Sequence, residues 1–156
     1  MKKLTKEEMA GVMNKVRDGV LALSDGSTPY CIPFGFVYIN DVVYLSMFPT
    51  GRKWEYFQKN PKVCFNVFCW TDDMTEWSSV VVDGTMEQVN DMETIEAVIR
   101  ANMKKLGIDG EEYIQKRLGM YKKTMDSPKA LKIFTIRAHD MQGRSMPMLI
   151  KEAKQS

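Results

Sequence analysis

Histidine occurs once in this sequence, as His139, so no histidine pair is available for a metal or a proton relay. A lone histidine near the end of a strand-like segment reads as structural or surface. None of the strings G-x-S-x-G, H-E-x-x-H, Walker A or G-x-G-x-x-G is present. Cysteine is scarce too: Cys31, Cys64 and Cys69 are odd in number and form no C-x-x-C pair. Cys64 and Cys69, five apart on a strand-like run, point to opposite faces. The three are expected to be buried thiols of a reducing compartment, without a metal site. Charge of one sign is also lacking: a net +2 argues against general nucleic-acid or membrane binding, so any attraction for anions must be local. No apolar run approaches the ~20 residues that span a bilayer. The opening "MKKLTKEEMAGVMNKV" carries charges through its apolar positions, unlike a signal peptide, so a cytoplasmic location is expected.

What is present is an ordinary globular composition, 44% hydrophobic and 27% charged, that fits one domain over residues 1–156. Thr5 with Glu8 predicts a capped helix whose stripe is Met9, Val12, Met13 and Val16, ended by Gly19. "VLALS" is a strand, Asp25-Gly26-Ser27 a turn, and "YCIPFGFVYI" a strand with Pro33 and Gly35 inside it. Those two residues suggest an edge, a bulge or a ligand's close approach. Asn40-Asp41 turns the chain into "VVYLSM", and "KVCFNVFCW" and "WSSVVVDGTMEQV" follow as strands. Two helices, "DMETIEAVIRANMKKLG" and "EEYIQKRLGMYKK", precede a last strand, "ALKIFTIRAHDM", and the tail 149–156 is expected to fray. Hairpin and short helical connections predict a mainly β, mostly antiparallel barrel with peripheral helices.

The stretch "PTGRKWEYFQKNP" stands out. It reads as a loop and a short helix stopped at Asn60-Pro61, which places Arg52 and Lys53 in the first turn. There the free N–H groups are already positive, and each added cation costs roughly 0.3–1 kcal/mol. An anion held by the helix N-terminus, the Arg52 fork and the Lys53 charge would resolve the conflict, with Ser46 and Thr50 as further donors and Gly51 opening the backbone. Two solvated surface cations are the plain alternative. Lys104-Lys105 and Lys122-Lys123 sit at helix C-termini, where the dipole explains them. The pairs Asp72-Asp73 and Glu111-Glu112 read as exposed loop or helix-start charges. The 13 methionines read as adaptable packing.

The ordered set "PFGF", a hairpin, "GRK", Asn-Pro and "SVVVDG" resembles the pyridoxamine 5'-phosphate oxidase-like flavoproteins. More narrowly, it resembles their short, nitroimidazole-reductase-like branch, across residues 5 to 145. The resemblance implies a homodimer of split β-barrels with FMN in a groove between subunits. Arg52 and Lys53 would hold the FMN phosphate, with Ser46 and Met47 along the phosphate and ribityl chain. Pro33, Phe34, Gly35 and Phe36 would lie along the ring, and Ser79, with Ser78 beside it, would hydrogen-bond the cofactor. Trp77 adjoins this site, and Arg137, His139 and Arg144 could approach the partner's flavin. The implied activity passes electrons from a reduced nicotinamide or similar donor through flavin to a small-molecule acceptor. Catalytic side chains stay unassigned. A non-catalytic flavin binder, or the same barrel holding a deazaflavin or haem through His139, are the alternatives. Branch members often have histidine where this chain has Ser46, which argues against nitro-group reduction. The basic set and C-terminal end of the oxidase proper are missing, which argues against pyridoxamine phosphate oxidation.

Overall fold

Thr5 opens the first helix as its sequence requires: its hydroxyl accepts from Glu8 N at 3.2 Å, and the Glu8 carboxylate accepts from Thr5 N at 2.8 Å. The computed structural model describes residues 1–148, and the tail 149–156 lies outside the described residues. In chain order the elements are β1 (Lys2–Lys3), α1 (Lys6–Lys15), β2 (Asp18–Ser24), β3 (Pro29–Gly35), β4 (Val37–Ile39), β5 (Val42–Met47) and α2 (Gly51–Lys59). β6 (Lys62–Trp70), β7 (Glu76–Gln88), α3 (Met92–Lys105), α4 (Glu111–Thr124) and β8 (Lys132–Pro147) complete it. The strands pair in the order β3-β2-β6-β7-β8-β5-β4, with β1 added to β8, and the pairings are antiparallel. The sheet curls into a half-barrel with four helices around it, the architecture expected from the sequence.

Three boundaries differ from expectation. Gly19 does not end α1; it lies within β2, where a Cβ would meet the Phe65 ring at 2.3 Å. "YCIPFGFVYI" is two strands, because the chain leaves β3 at Gly35, buries Phe36 and re-enters the sheet at its other end as β4. Pro33 therefore sits on an edge strand, where its missing N–H costs no ladder bond on the open side. β8 runs on past Met141 to Pro147, along the whole of β7. Asp83 pairs with Asp140 and Gly84 with Ala138, so His139 is the extra residue of a bulge. Gly84 is needed there, since a Cβ would stand 2.4 Å from the Arg137 carbonyl oxygen.

The sheet's concave face closes over Leu21, Leu45, Met47, Phe65, Val80, Phe134 and Ile136, capped by α1 and by Trp54 and Phe57 of α2. A second cluster packs Ile95, Val98, Ile99 and Met103 of α3 with Ile114 and Leu118 of α4 against Val37 and Ile133. The start of β8 is thus buried on both faces, which hides its alternation. The Arg100 guanidinium pins the two helices, reaching Glu111 with two 2.7 Å bonds and Glu96 at 2.8 Å.

The cysteines are free, but less buried than expected. Cys31 is exposed on the edge strand, and Cys64 and Cys69 are half-buried. Burial, then a hydrogen bond with Asp83, pushes the Cys64 thiol up to about 11. Among the described residues no group of three or more His, Cys, Asp or Glu side chains could hold a metal, and no helix is long and apolar enough to cross a membrane.

Candidate functional site

At the start of α2 the conflict in charge is real. Thr50 makes no side-chain cap bond, the first turn has no acidic residue, and Gly51 has φ +78 with open space where a Cβ would be. Arg52 is exposed but not loose: its guanidinium carbon lies 4.3 Å from the centre of the Tyr30 ring and 5.1 Å from that of Tyr56. Its Nη2 donates to the Tyr56 hydroxyl at 3.2 Å, the main cause of its raised pKa. Tyr56 stands four residues on, one helical turn away. Among the described residues no salt bridge engages Arg52 or Lys53. A planar cation held between aromatic faces, beside uncapped amides, is prepared for an anion arriving from solvent.

β3 runs away from this corner. Tyr30, Ile32 and Phe34 turn inward, while Cys31, Pro33 and Gly35 face out. Outward along one row stand Pro33, Val20, Asn66, Val81 and Gln142, paired in register across β3, β2, β6, β7 and β8. In the next row lie Phe68, Ser79 and Arg144, and beyond it Trp70, Trp77 and Met146. Asn66 Nδ2 donates to Ser79 Oγ at 2.7 Å, so Pro33 and Ser79 share one surface through Asn66. Ser79, Trp77 and Arg144 line a groove of about 410 Å³ there. The surface is apolar in bulk: Val20 is 39% exposed and Phe68 48%, far more than sheet residues of their size need be.

Other expected site residues go elsewhere. Phe36 is buried edge-on against Phe65, and Met47 is buried in the same core, so neither side chain is available to a ligand. Phe34 is packed inward. Strand parity separates Ser78 from Ser79: Ser78 faces the cavity under α1 with Cys69 and Ser145. By the same parity Ser46 points away from Met47, into a cavity of about 120 Å³ under α3 and α4 with Asn102, Arg117 and Tyr121. His139 is exposed on the bulge, its Nε2 2.8 Å from Thr85 Oγ1, and Arg137 pairs with Glu87 at 3.1 Å. Of the three late candidates only Arg144 joins Ser79.

Sequence reasoning missed Tyr30, Tyr56 and Asn66. The polar Asn66 inside the apolar run "KVCFNVFCW" was a usable signal, and so was Tyr56, four residues after Arg52.

Comparison with known proteins places these features in a context. A family model described as pyridoxamine 5'-phosphate oxidase matches residues 5–145. No curated protein matches the sequence. Among solved structures, an FAD-binding protein from Mesorhizobium loti is 24% identical, with a TM-score of 0.63 over 93% of this chain and 97% of that one. A candidate 5-nitroimidazole antibiotic resistance protein from Bacteroides thetaiotaomicron is 20% identical, TM-score 0.67, covering 92% and 87%. The FAD-binding protein from Mycobacterium smegmatis is 16% identical, TM-score 0.64, covering 95% and 100%. At these identities the likeness is one of fold.

Proposed function

The chain belongs to the pyridoxamine 5'-phosphate oxidase family, and from that premise we propose that it binds FMN between two copies of itself and serves as an oxidoreductase. One observation carries the reading: Arg52, in no salt bridge among the described residues, stacks on Tyr30 beside an uncapped helix start, at one end of the strand that bears Pro33 and Gly35. These residues fit a flavin phosphate. The bare turn at Gly51 admits it, the Arg52 fork and Lys53 neutralise it, and the first amides of α2 donate to it.

The rest of the site follows from the outward surface. Pro33 and Gly35 present little side chain on an edge strand, so a flat ring can lie against backbone whose open-edge N–H and C=O groups reach its polar rim. Ser79, oriented by Asn66, offers a hydroxyl. One chain leaves this surface open, with Phe68 and Val20 half exposed, and a second copy would cover it and exclude water from the ring. Bound flavin supplies two-electron exchange between a reduced donor, such as a nicotinamide, and an acceptor. The chain's own part is to bind, orient and shield, which suits a site with no histidine in it.

The names of two structural neighbours favour FAD as the second reading. Haem ligation by His139 has less support, because it would break the Thr85 bond. Purified protein incubated with excess FMN or FAD and then desalted is expected to stay yellow, with FMN held more tightly. Reversible bleaching by NADH or NADPH in the presence of an acceptor is expected of the oxidoreductase. Stable flavin without turnover over a panel of acceptors would leave a flavin carrier or sensor. Colourless protein would end the flavin reading.

A further inference from the structure

Where the chain leaves β3 at Gly35 a second cationic feature begins. Arg17, Asp18, Gly35, Phe36, Asn102 and Lys105 line a pocket of about 130 Å³ at that corner. Through Arg17 and Lys105 it continues into a groove of about 610 Å³ between α1 and α3, walled by Lys15, Lys104, Val37 and Tyr38. Volumes of this order suit a small molecule. Lysines at a helix C-terminus are ordinary dipole partners, but Lys105 is not placed as one. It turns inward, donates from Nζ to the Phe36 carbonyl oxygen at 2.6 Å and lies 3.9 Å from the centre of the Phe36 ring. Burial first, and Arg17's charge as well, lower its pKa, against a counter-pull from Asp18. Among the described residues no salt bridge engages Arg17, Lys104 or Lys105, and Lys15 has only a 3.8 Å contact to the fully exposed Asp72. The chain thus gathers four cations around one concavity and, among the described residues, leaves three of them without a salt bridge.

We propose that this groove binds the phosphate groups of a small-molecule co-substrate and delivers its uncharged end to the Gly35 corner. The word co-substrate rests on the flavin reading; the anion site itself does not. Position decides between two sources of phosphate. Tyr30 and Gly35 are five strand steps apart, roughly 16 Å, with Arg52 at the Tyr30 end and the groove at the other. A flavin whose phosphate is held at Arg52 points its ring toward the groove, whereas the extra nucleotide of FAD would extend from the phosphate, away from it. The groove therefore faces the reacting end of the cofactor, and its phosphates belong to a second molecule. Tyr38, beside Val37, supplies a flat wall for an apolar or aromatic portion of that molecule.

The test uses ADP as the probe, titrated calorimetrically into the flavin-loaded protein, with adenosine as the uncharged control. Saturable ADP binding with Kd of about 1 mM or tighter is expected, and adenosine should bind at least about tenfold more weakly. Arg17 and Lys104 are exposed, so the double variant Arg17→Gln/Lys104→Gln should fold. It should weaken ADP about tenfold or more while leaving FMN and FAD affinity unchanged. Arg52→Ala/Lys53→Ala, titrated flavin-free, should keep ADP affinity within about twofold of flavin-free wild type. Absent ADP binding, or ADP binding indifferent to the groove variant or lost with the Arg52 variant, overturns the proposal. If the groove variant weakens FAD but not FMN, the groove serves the flavin's own nucleotide and the co-substrate assignment is wrong. Protein that takes up no flavin yet binds ADP in the groove sinks the flavin reading and leaves the anion site standing.

Discussion

Two clusters of cations sit at opposite ends of β3, and their settings differ in an instructive way. Arg52 and Lys53 stand at a helix N-terminus, where the backbone repels them. Lys104 and Lys105 stand at a helix C-terminus, where it welcomes them, and the sequence reading dismissed them for that reason. In space the ranking changes. Arg52 is exposed and braced by Tyr30 and Tyr56, whereas Lys105 is half-buried and faces Arg17 across a groove. Position along a helix says what the dipole tolerates; it does not say what the side chain confronts. The first cluster stands at the end of the strand bordering the outward surface proposed above to receive a second copy, and the second gathers residues of one chain.

That difference can be broken by splitting the proposed dimer. Phe68→Arg puts a charge in the middle of the outward surface, next to Ser79 and Arg144. Burying it unpaired would cost several kcal/mol, so the dimer should dissociate by about a hundredfold or more, read by analytical ultracentrifugation. Flavin should be lost with the dimer, while ADP affinity of the groove should hold. A variant that remains dimeric with flavin bound would move the interface to another face.

Arg52→Ala/Lys53→Ala removes the first cluster directly. Two charge-assisted contacts to phosphate are worth about 3 kcal/mol together, so FMN affinity should fall about a hundredfold, read by flavin fluorescence. A change of less than about threefold would mean the phosphate is held elsewhere. Smaller, and sharper, is a pair of serines. Ser79→Ala should weaken FMN about three- to tenfold through one hydrogen bond, and Ser46→Ala should leave it unchanged. The reverse result would place the cofactor under α3 and α4 instead of on the outward surface.

Much of the frame was legible because short-range chemistry fixes it. The capping box of Thr5 and Glu8, the Asn40-Asp41 hairpin with φ of 48 and 64, and the stop at Asn60 formed where expected. The site was legible only in part. "PFGF" and the pair Ser46-Met47 were read as continuous lining, yet the fold sends Phe34, Phe36 and Met47 inward and Ser46 to the opposite face. Parity can be counted from a sequence, but which parity faces outward is decided by what α2, α3 and α4 cover. The Arg17–Lys105 encounter joins residues 88 apart in sequence, beyond the reach of any local pattern.

The smallest effect concerns the helix that walls the groove. Glu111 takes both arms of the Arg100 fork, which lowers its carboxyl from 4.5 to about 2. A carboxylate whose folded pKa is depressed adds stability above its unfolded value and loses it as the pH falls through the folded one. The α3–α4 hairpin should therefore loosen as pH drops from about 4.5 toward about 2, ahead of the β6–β7–β8 sheet, which is held by backbone hydrogen bonds between long paired strands. Hydrogen exchange along α3 and α4 would read it. Glu111→Gln should shrink the pH step in that window, leaving the part owed to the Asp91 cap of α3, and leave α3 somewhat looser at neutral pH. Because the pair is exposed, solvent screens it and the change should be slight. If α3 and the sheet lost protection together at every pH, the fork would not be what holds the groove's wall in place.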